Sequence, residues 1–153
     1  RDLLDELASV EEELLSLVGD GDHRLDAYIR SLGRIEGYSW RPIAGTASLS
    51  YHSYGAAIDF VPRSTAGKEI YWRWARERYP EWYALPYDRR LMPPESFVSA
   101  FEKRGFVWGG KWFYFDTMHF EYRPEILALN GYVRVLEESR ATGIREWIWV
   151  RHL

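Results

Sequence analysis

The sequence predicts an α+β fold: a small, mostly antiparallel sheet flanked by helices. Three observations carry this expectation. Leucines recur at helical spacing near the N-terminus. Of the 26 aromatic residues, 22 fall between positions 38 and 122. That same span is cut every few residues by glycine and proline turns, which suits short strands and loops better than a helix bundle. With 153 residues, 46% of them apolar and 28% charged, the chain can bury one core of ordinary size. A single domain is therefore expected over 1–153, with helices in 1–35, a core segment in 36–125, and a C-terminal helix and tail in 126–153.

Taken in order, Leu3, Leu4, Leu7, Val10, Leu14 and Leu17 form one face of a helix from Asp2 to Val18, with Glu11–Glu13 largely opposite. Gly19-Asp20-Gly21-Asp22 breaks it, and Asp22 is placed to cap a second helix that runs through Leu32 and ends at Gly33. Lys68–Tyr79 reads as a helix stopped by Pro80, and Glu95–Arg104 as another, opened by Pro94 and closed by Gly105. Phe106–Trp108, Phe113–Phe115 and Met118–Tyr122 read as strands around the Gly109-Gly110 turn. Pro124-Glu125 starts a short helix that Asn130-Gly131 ends, Val133–Arg140 has helical spacing, and 144–150 alternates like a strand through Trp147 and Trp149.

Composition narrows the chemistry. Without cysteine there is no disulfide, no thiol nucleophile and no cysteine-containing zinc site, so any bound metal must be held by carboxylates and by His23, His52, His119 or His152. The net charge of −3 argues against a nucleic-acid partner. It is unevenly spread, at −6 over residues 1–40 and +3 over 41–153, as expected of an acidic solvated helix face at the start. No apolar run approaches the ~20 residues of a membrane span. The chain begins at Arg1 with no hydrophobic leader, which suggests a processed or trimmed form. The glycine-rich phosphate loops, the G-x-S-x-G elbow and H-E-x-x-H are all missing.

Two segments carry polar groups where apolar ones would be cheaper. In Ser48–Phe60, His52 lies in a turn-prone stretch and Asp59 inside the apolar run Ala57–Val61. A carboxylate there costs several kcal/mol unless a cation or metal satisfies it. Gly55 lets the backbone fold back so that His52 and Asp59 converge. In Phe115–Glu121, His119 sits between Met118 and Phe120 with the same difficulty. A lone histidine in an apolar strand is more often a hydrogen-bonded core residue than a ligand. Together, however, two histidines and an aspartate make the protein half of an open tetrahedral zinc site. Asp116, three residues before His119, can project near the same centre as a base without being a ligand. Glu121 shares a strand face with His119 and either orients that imidazole or forms an edge ion pair.

The pattern Ser50-x-His52-x-x-Gly55-x-Ala57-x-Asp59, followed by Asp116-Thr117-Met118-His119, resembles the signature of the zinc D-Ala-D-Ala carboxypeptidases. Their superfamily also holds lysostaphin-type peptidases and the hedgehog signalling domain. Asp116 in place of glutamate, with Gly109-Gly110-Lys111-Trp112 before it, looks more like the L-alanyl-D-glutamate endopeptidase branch. The resemblance covers about residues 38–125. It implies the carboxypeptidase-like fold and a zinc ion held by His52, Asp59 and His119. Asp116 would be the general base that takes a proton from the attacking water and passes it to the leaving amine. The resemblance makes Ser50 a hydrogen-bond donor to substrate, where the plain alternative is a turn cap, and Arg41 a grip for a substrate carboxylate. Trp40, Trp108, Trp112 and Tyr114 are candidates for cleft walls or core. The implied activity is hydrolysis of peptidoglycan stem peptides, as carboxypeptidase or endopeptidase, by an extracytoplasmic protein expected to be monomeric. The alternative is a zinc-stabilised module that binds cell wall or a partner without cutting.

Overall fold

A computed structural model describes residues 3–138, 140 and 142–152. Its elements, in chain order, are α1 (Leu3–Gly19), α2 (His23–Ser31), β1 (Leu32–Glu36), β2 (Ala57–Pro62), α3 (Trp72–Arg78), α4 (Glu95–Glu102), β3 (Phe106–Trp108), β4 (His119–Tyr122), α5 (Pro124–Leu129), β5 (Tyr132–Glu138) and β6 (Arg145–Arg151), with short 3-10 turns between them. The expected α+β class holds. Four strands form one sheet in the order β1-β2-β4-β3, and β5 and β6 form a separate two-stranded ribbon.

The chain divides into two compact units, each built from separated segments. One comprises Arg1–Arg30, Pro94–Val107 and Tyr122–Leu153. Its core is Val10, Leu25, Phe97, Val98, Ala100, Phe101, Phe106, Leu127 and Ile148, all buried. Aromatic edges hold it together: Phe97 packs on Tyr28 and Phe101, and Phe101 on Phe106, with ring centroids 4.9–5.3 Å apart. Asp22 caps α2 as expected, accepting from the Leu25 N–H at 2.9 Å, and also accepts from the Ser96 hydroxyl at 2.7 Å. Arg104 and Glu146 form a buried ion pair in this unit.

The other unit comprises Ser31–Pro93 and Trp108–Glu121. Ala75, Trp82, Leu85 and Phe115 are its main cluster, flanked by Trp72 and Tyr79. Phe60, Trp108 and Phe120 fill the space against the sheet, with Phe60 and Trp108 each packed on the Phe120 ring. Here β2 is the central antiparallel strand. Asp59 stands opposite Glu36 of β1 on one side and His119 of β4 on the other.

Local expectations fail in four places, each for a tertiary reason. Helical spacing over Val133–Arg140 misleads, because this stretch is β5, paired residue for residue with β6 from Tyr132↔Arg151 to Glu138↔Arg145. The alternating β-branched Val133 and Val135 suit a ribbon, and residue 139 lies outside the described residues. The expected helix over Lys68–Tyr79 begins only at Trp72. Glu69 donates to the Arg89 carbonyl and accepts from Leu91 (both 2.9 Å), so its backbone is already committed to an extended bridge. Phe113–Phe115 is a bend rather than a strand, with Phe115 turned fully into the core. Gly33 does not end α2. It sits at a register irregularity inside β1, where a Cβ would lie 2.9 Å from the Arg63 side chain.

Candidate metal centre

The centre is assembled from a turn and two neighbouring strands. Ser50 opens a 3-10 turn over Tyr51–Tyr54, its hydroxyl accepting from the His52 N–H at 3.4 Å. Gly55, at φ 66°, closes the turn by donating to the His52 and Tyr51 carbonyls. This left-handed conformation favours glycine, which accounts for the residue at that spacing. The turn drives His52 inward to 1% exposure. Asp59 and His119 arrive as directly opposed residues of β2 and β4. An antiparallel pair puts both side chains on one face. His52 reaches the same face from the turn preceding β2.

One ligand atom each from His52, Asp59 and His119 lies within 4.8 Å of the others. His52 Nε2 is 3.2 Å from His119 Nδ1 and 3.1 Å from Asp59 Oδ2, and His119 Nδ1 is 2.7 Å from Asp59 Oδ1. The outward nitrogens are occupied. His52 Nδ1 is 2.5 Å from the Gly37 carbonyl, which can only accept, so that nitrogen donates. His119 Nε2 is 3.1 Å from Glu121 Oε1. In the neutral imidazoles, a donating Nε2 on His119 and a donating Nδ1 on His52 leave two lone pairs facing each other and the Asp59 carboxylate. Either a proton on His119 Nδ1 or a cation held between the three groups satisfies that arrangement. Two imidazoles and a carboxylate, each imidazole oriented by an outer acceptor, match the donor set of a catalytic zinc site.

Burial works against the Asp59 carboxylate, but bonds from His119 and His52 hold it well below the usual carboxylate range. Burial disfavours the charged form of His119, yet Asp59 and Glu121 bring it up to about 9. Without a metal these carboxylates therefore favour a proton on His119, and a metal ligated there would have to displace that proton.

Asp116 stands beside this cluster and is not one of its three residues. Its backbone is clamped from two sides. Its N–H donates to the Gly109 carbonyl at 3.0 Å, and it forms an antiparallel bridge with Tyr71. Gly109 is required there, since a Cβ would lie 2.7 Å from the Asp116 carbonyl oxygen and 3.3 Å from that of His119. Asp116 Oδ1 accepts from the Met118 N–H at 3.2 Å. Burial pushes its carboxyl up to about 6, with the His119 charge pulling down and the Asp59 charge pushing up.

The remaining predicted residues fall as follows. Arg41 is exposed, with Nη2 3.8 Å from Asp59 Oδ2. Its backbone N–H is fixed by the Ser53 hydroxyl at 3.0 Å. Ser50 is buried and engaged as the turn cap. Glu121 faces His119, within hydrogen-bond and ion-pair distance of its Nε2. Trp112 lies beside the centre, its ring 5.6 Å from His119. Trp108 is core, donating from Nε1 to the Thr117 carbonyl at 3.0 Å, whereas Trp40 and Tyr114 are mostly exposed. His23 and His152 are exposed and do not belong to the His52, Asp59 and His119 group. Two participants have no signal in the sequence: the Gly37 carbonyl, which is a backbone group, and Tyr71, which is brought to Asp116 by pairing across 45 residues of chain.

A family model described as D-alanyl-D-alanine carboxypeptidase matches residues 44–122, a span that contains His52, Asp59, Asp116, His119 and Glu121. No curated protein and no solved structure gives a significant match.

Proposed function

Because the chain belongs to the D-alanyl-D-alanine carboxypeptidase family, we propose that it is a zinc-dependent hydrolase of peptidoglycan stem peptides, cutting a bond next to a D-amino acid. The observation that carries this reading is the convergence of His52, Asp59 and His119 on one point, within the matched span. His52, Asp59 and His119 would hold the metal. The chemistry a divalent ion supplies in such a site is Lewis-acid polarisation of the scissile carbonyl and a lowered pKa for water.

The chain's own groups do the rest. Gly37 and Glu121 fix which imidazole nitrogen faces inward. Asp116, clamped between Gly109 and Tyr71, accepts a proton from the attacking water and returns it to the leaving amine. Asp116 favours a catalyst over a pure binding module, since binding alone has no use for a second carboxylate beside the ligands. Arg41 offers a planar fork to a substrate carboxylate, and Ser50 caps the turn that carries His52. Action on peptidoglycan would place the protein outside the cytoplasm. No described helix is long and apolar enough to cross a membrane.

The test is mass-spectrometric identification of products from defined muropeptides incubated with zinc-loaded protein. Loss of a terminal D-alanine marks a carboxypeptidase, and separation of L-alanine from D-glutamate marks an endopeptidase. Intact muropeptides in the presence of zinc-loaded, folded protein refute the proposal.

A further inference from the structure

The Tyr71 side chain plays no part in the scheme above, yet the backbone delivers it to the base. The Thr117 N–H donates to the Ile70 carbonyl at 2.8 Å and the Trp72 N–H to the Phe115 carbonyl at 2.9 Å. These two bonds bracket Tyr71 and Asp116 and make them a non-hydrogen-bonded antiparallel pair. That is the pair type in which opposed Cα atoms are closest, about 4.5 Å, with both side chains on one face. Thr117 reinforces the bridge, its hydroxyl donating to the Ile70 carbonyl at 3.2 Å. Tyr71 is half-buried, with its ring edge-on to Trp72 and Trp74 at 6.0 and 5.6 Å. A phenol of this reach, starting beside the Asp116 side chain, covers the space a substrate must enter to meet that carboxylate.

We infer that the Tyr71 hydroxyl is a substrate-facing hydrogen-bond donor next to Asp116, placed to stabilise the negative charge that develops on the scissile carbonyl oxygen; this role rests on the peptidase reading above. A preorganised donor aimed at developing charge is effective because it needs no reorganisation when the charge appears. Burial and the Asp116 charge both raise the phenol's pKa, which keeps that proton in place at neutral pH.

The experiment uses Tyr71→Phe in the full chain, which keeps the ring and its packing and removes only the hydroxyl. Steady-state kinetics on the stem peptide that the wild type cleaves should show kcat reduced about 100-fold, the usual cost of one such donor, with KM unchanged. Zinc content and melting temperature should equal those of the wild type. Affinity for a phosphinic isostere of the cleaved bond should fall in proportion to kcat/KM, which a merely structural role would not produce. An equally active Y71F protein overturns the inference and leaves the peptidase reading intact. A Y71F protein that loses zinc or melts lower also overturns it, because the residue would then act through the fold. A wild type that cleaves no stem peptide overturns both.

Discussion

Glu121→Gln probes how much the orientation of His119 matters to the metal. The carboxylate accepts from His119 Nε2 at 3.1 Å, and the two side chains are only 12% and 10% exposed, so solvent does little to weaken the bond. Glutamine keeps an oxygen that can accept from the same nitrogen but removes the charge that makes the imidazole a stronger ligand. Loss of such an outer partner costs about 10–100-fold in metal affinity. With zinc held at about 100 times the wild-type Kd, linkage predicts about 2.7 kcal/mol of stabilisation by metal. For the variant at the same zinc concentration it falls to about 1.4 kcal/mol at tenfold weaker binding and about 0.4 kcal/mol at 100-fold. At roughly 2–4 °C per kcal/mol for a chain of this size, the zinc-induced rise in Tm should shrink from about 5–11 °C to about 1–6 °C. Differential scanning calorimetry with and without zinc reads this directly, with the metal-free Tm as control. An unchanged zinc-induced shift would refute the claim that Glu121 tunes the site through His119.

Other substitutions separate chemistry from scaffold. Asp116→Asn should retain zinc while turnover falls by at least about 100-fold, as expected for a lost proton acceptor; metal analysis and kinetics on one sample check both halves. Glu146→Ala leaves the Arg104 guanidinium buried without its partner, two of its nitrogens having no other acceptor. Such uncompensated charges cost about 3–5 kcal/mol, visible as a lower urea midpoint. Gly109→Ala forces a Cβ to within 2.7 Å of the Asp116 carbonyl oxygen. It should cost about 1–3 kcal/mol as an overpacking change and lower activity, with urea denaturation and kinetics as the readouts.

The candidate site was more legible than the fold around it. Asp59 and His119 betrayed themselves because each is a polar group in an apolar strand, an arrangement that is costly unless something satisfies it. Gly55 betrayed the turn because its left-handed conformation is costly for other residues. The capping of α2 by Asp22 and the stop of α5 at Asn130-Gly131 were readable for the same reason: they are local. What sequence could not give was pairing between distant segments. The stretch Val133–Glu138 satisfies both helical and strand patterns, and only the presence of Arg145–Arg151 as a partner decides between them. Residues 68–71 carry helix formers, but bridges to Arg90 and Asp116 claim their backbone first. The bridge to Asp116 is also what brings Tyr71 to the centre, so the residue hardest to foresee is the one whose position depends wholly on tertiary pairing.

The account stands on one metal held by His52, Asp59 and His119 being required for peptide hydrolysis. The most direct measurement titrates zinc into chelator-stripped protein while following release of product from a stem peptide. Turnover should be absent before zinc and should rise to a plateau at one equivalent per chain. Turnover that survives chelation, or a stripped protein that takes up no zinc, would contradict it.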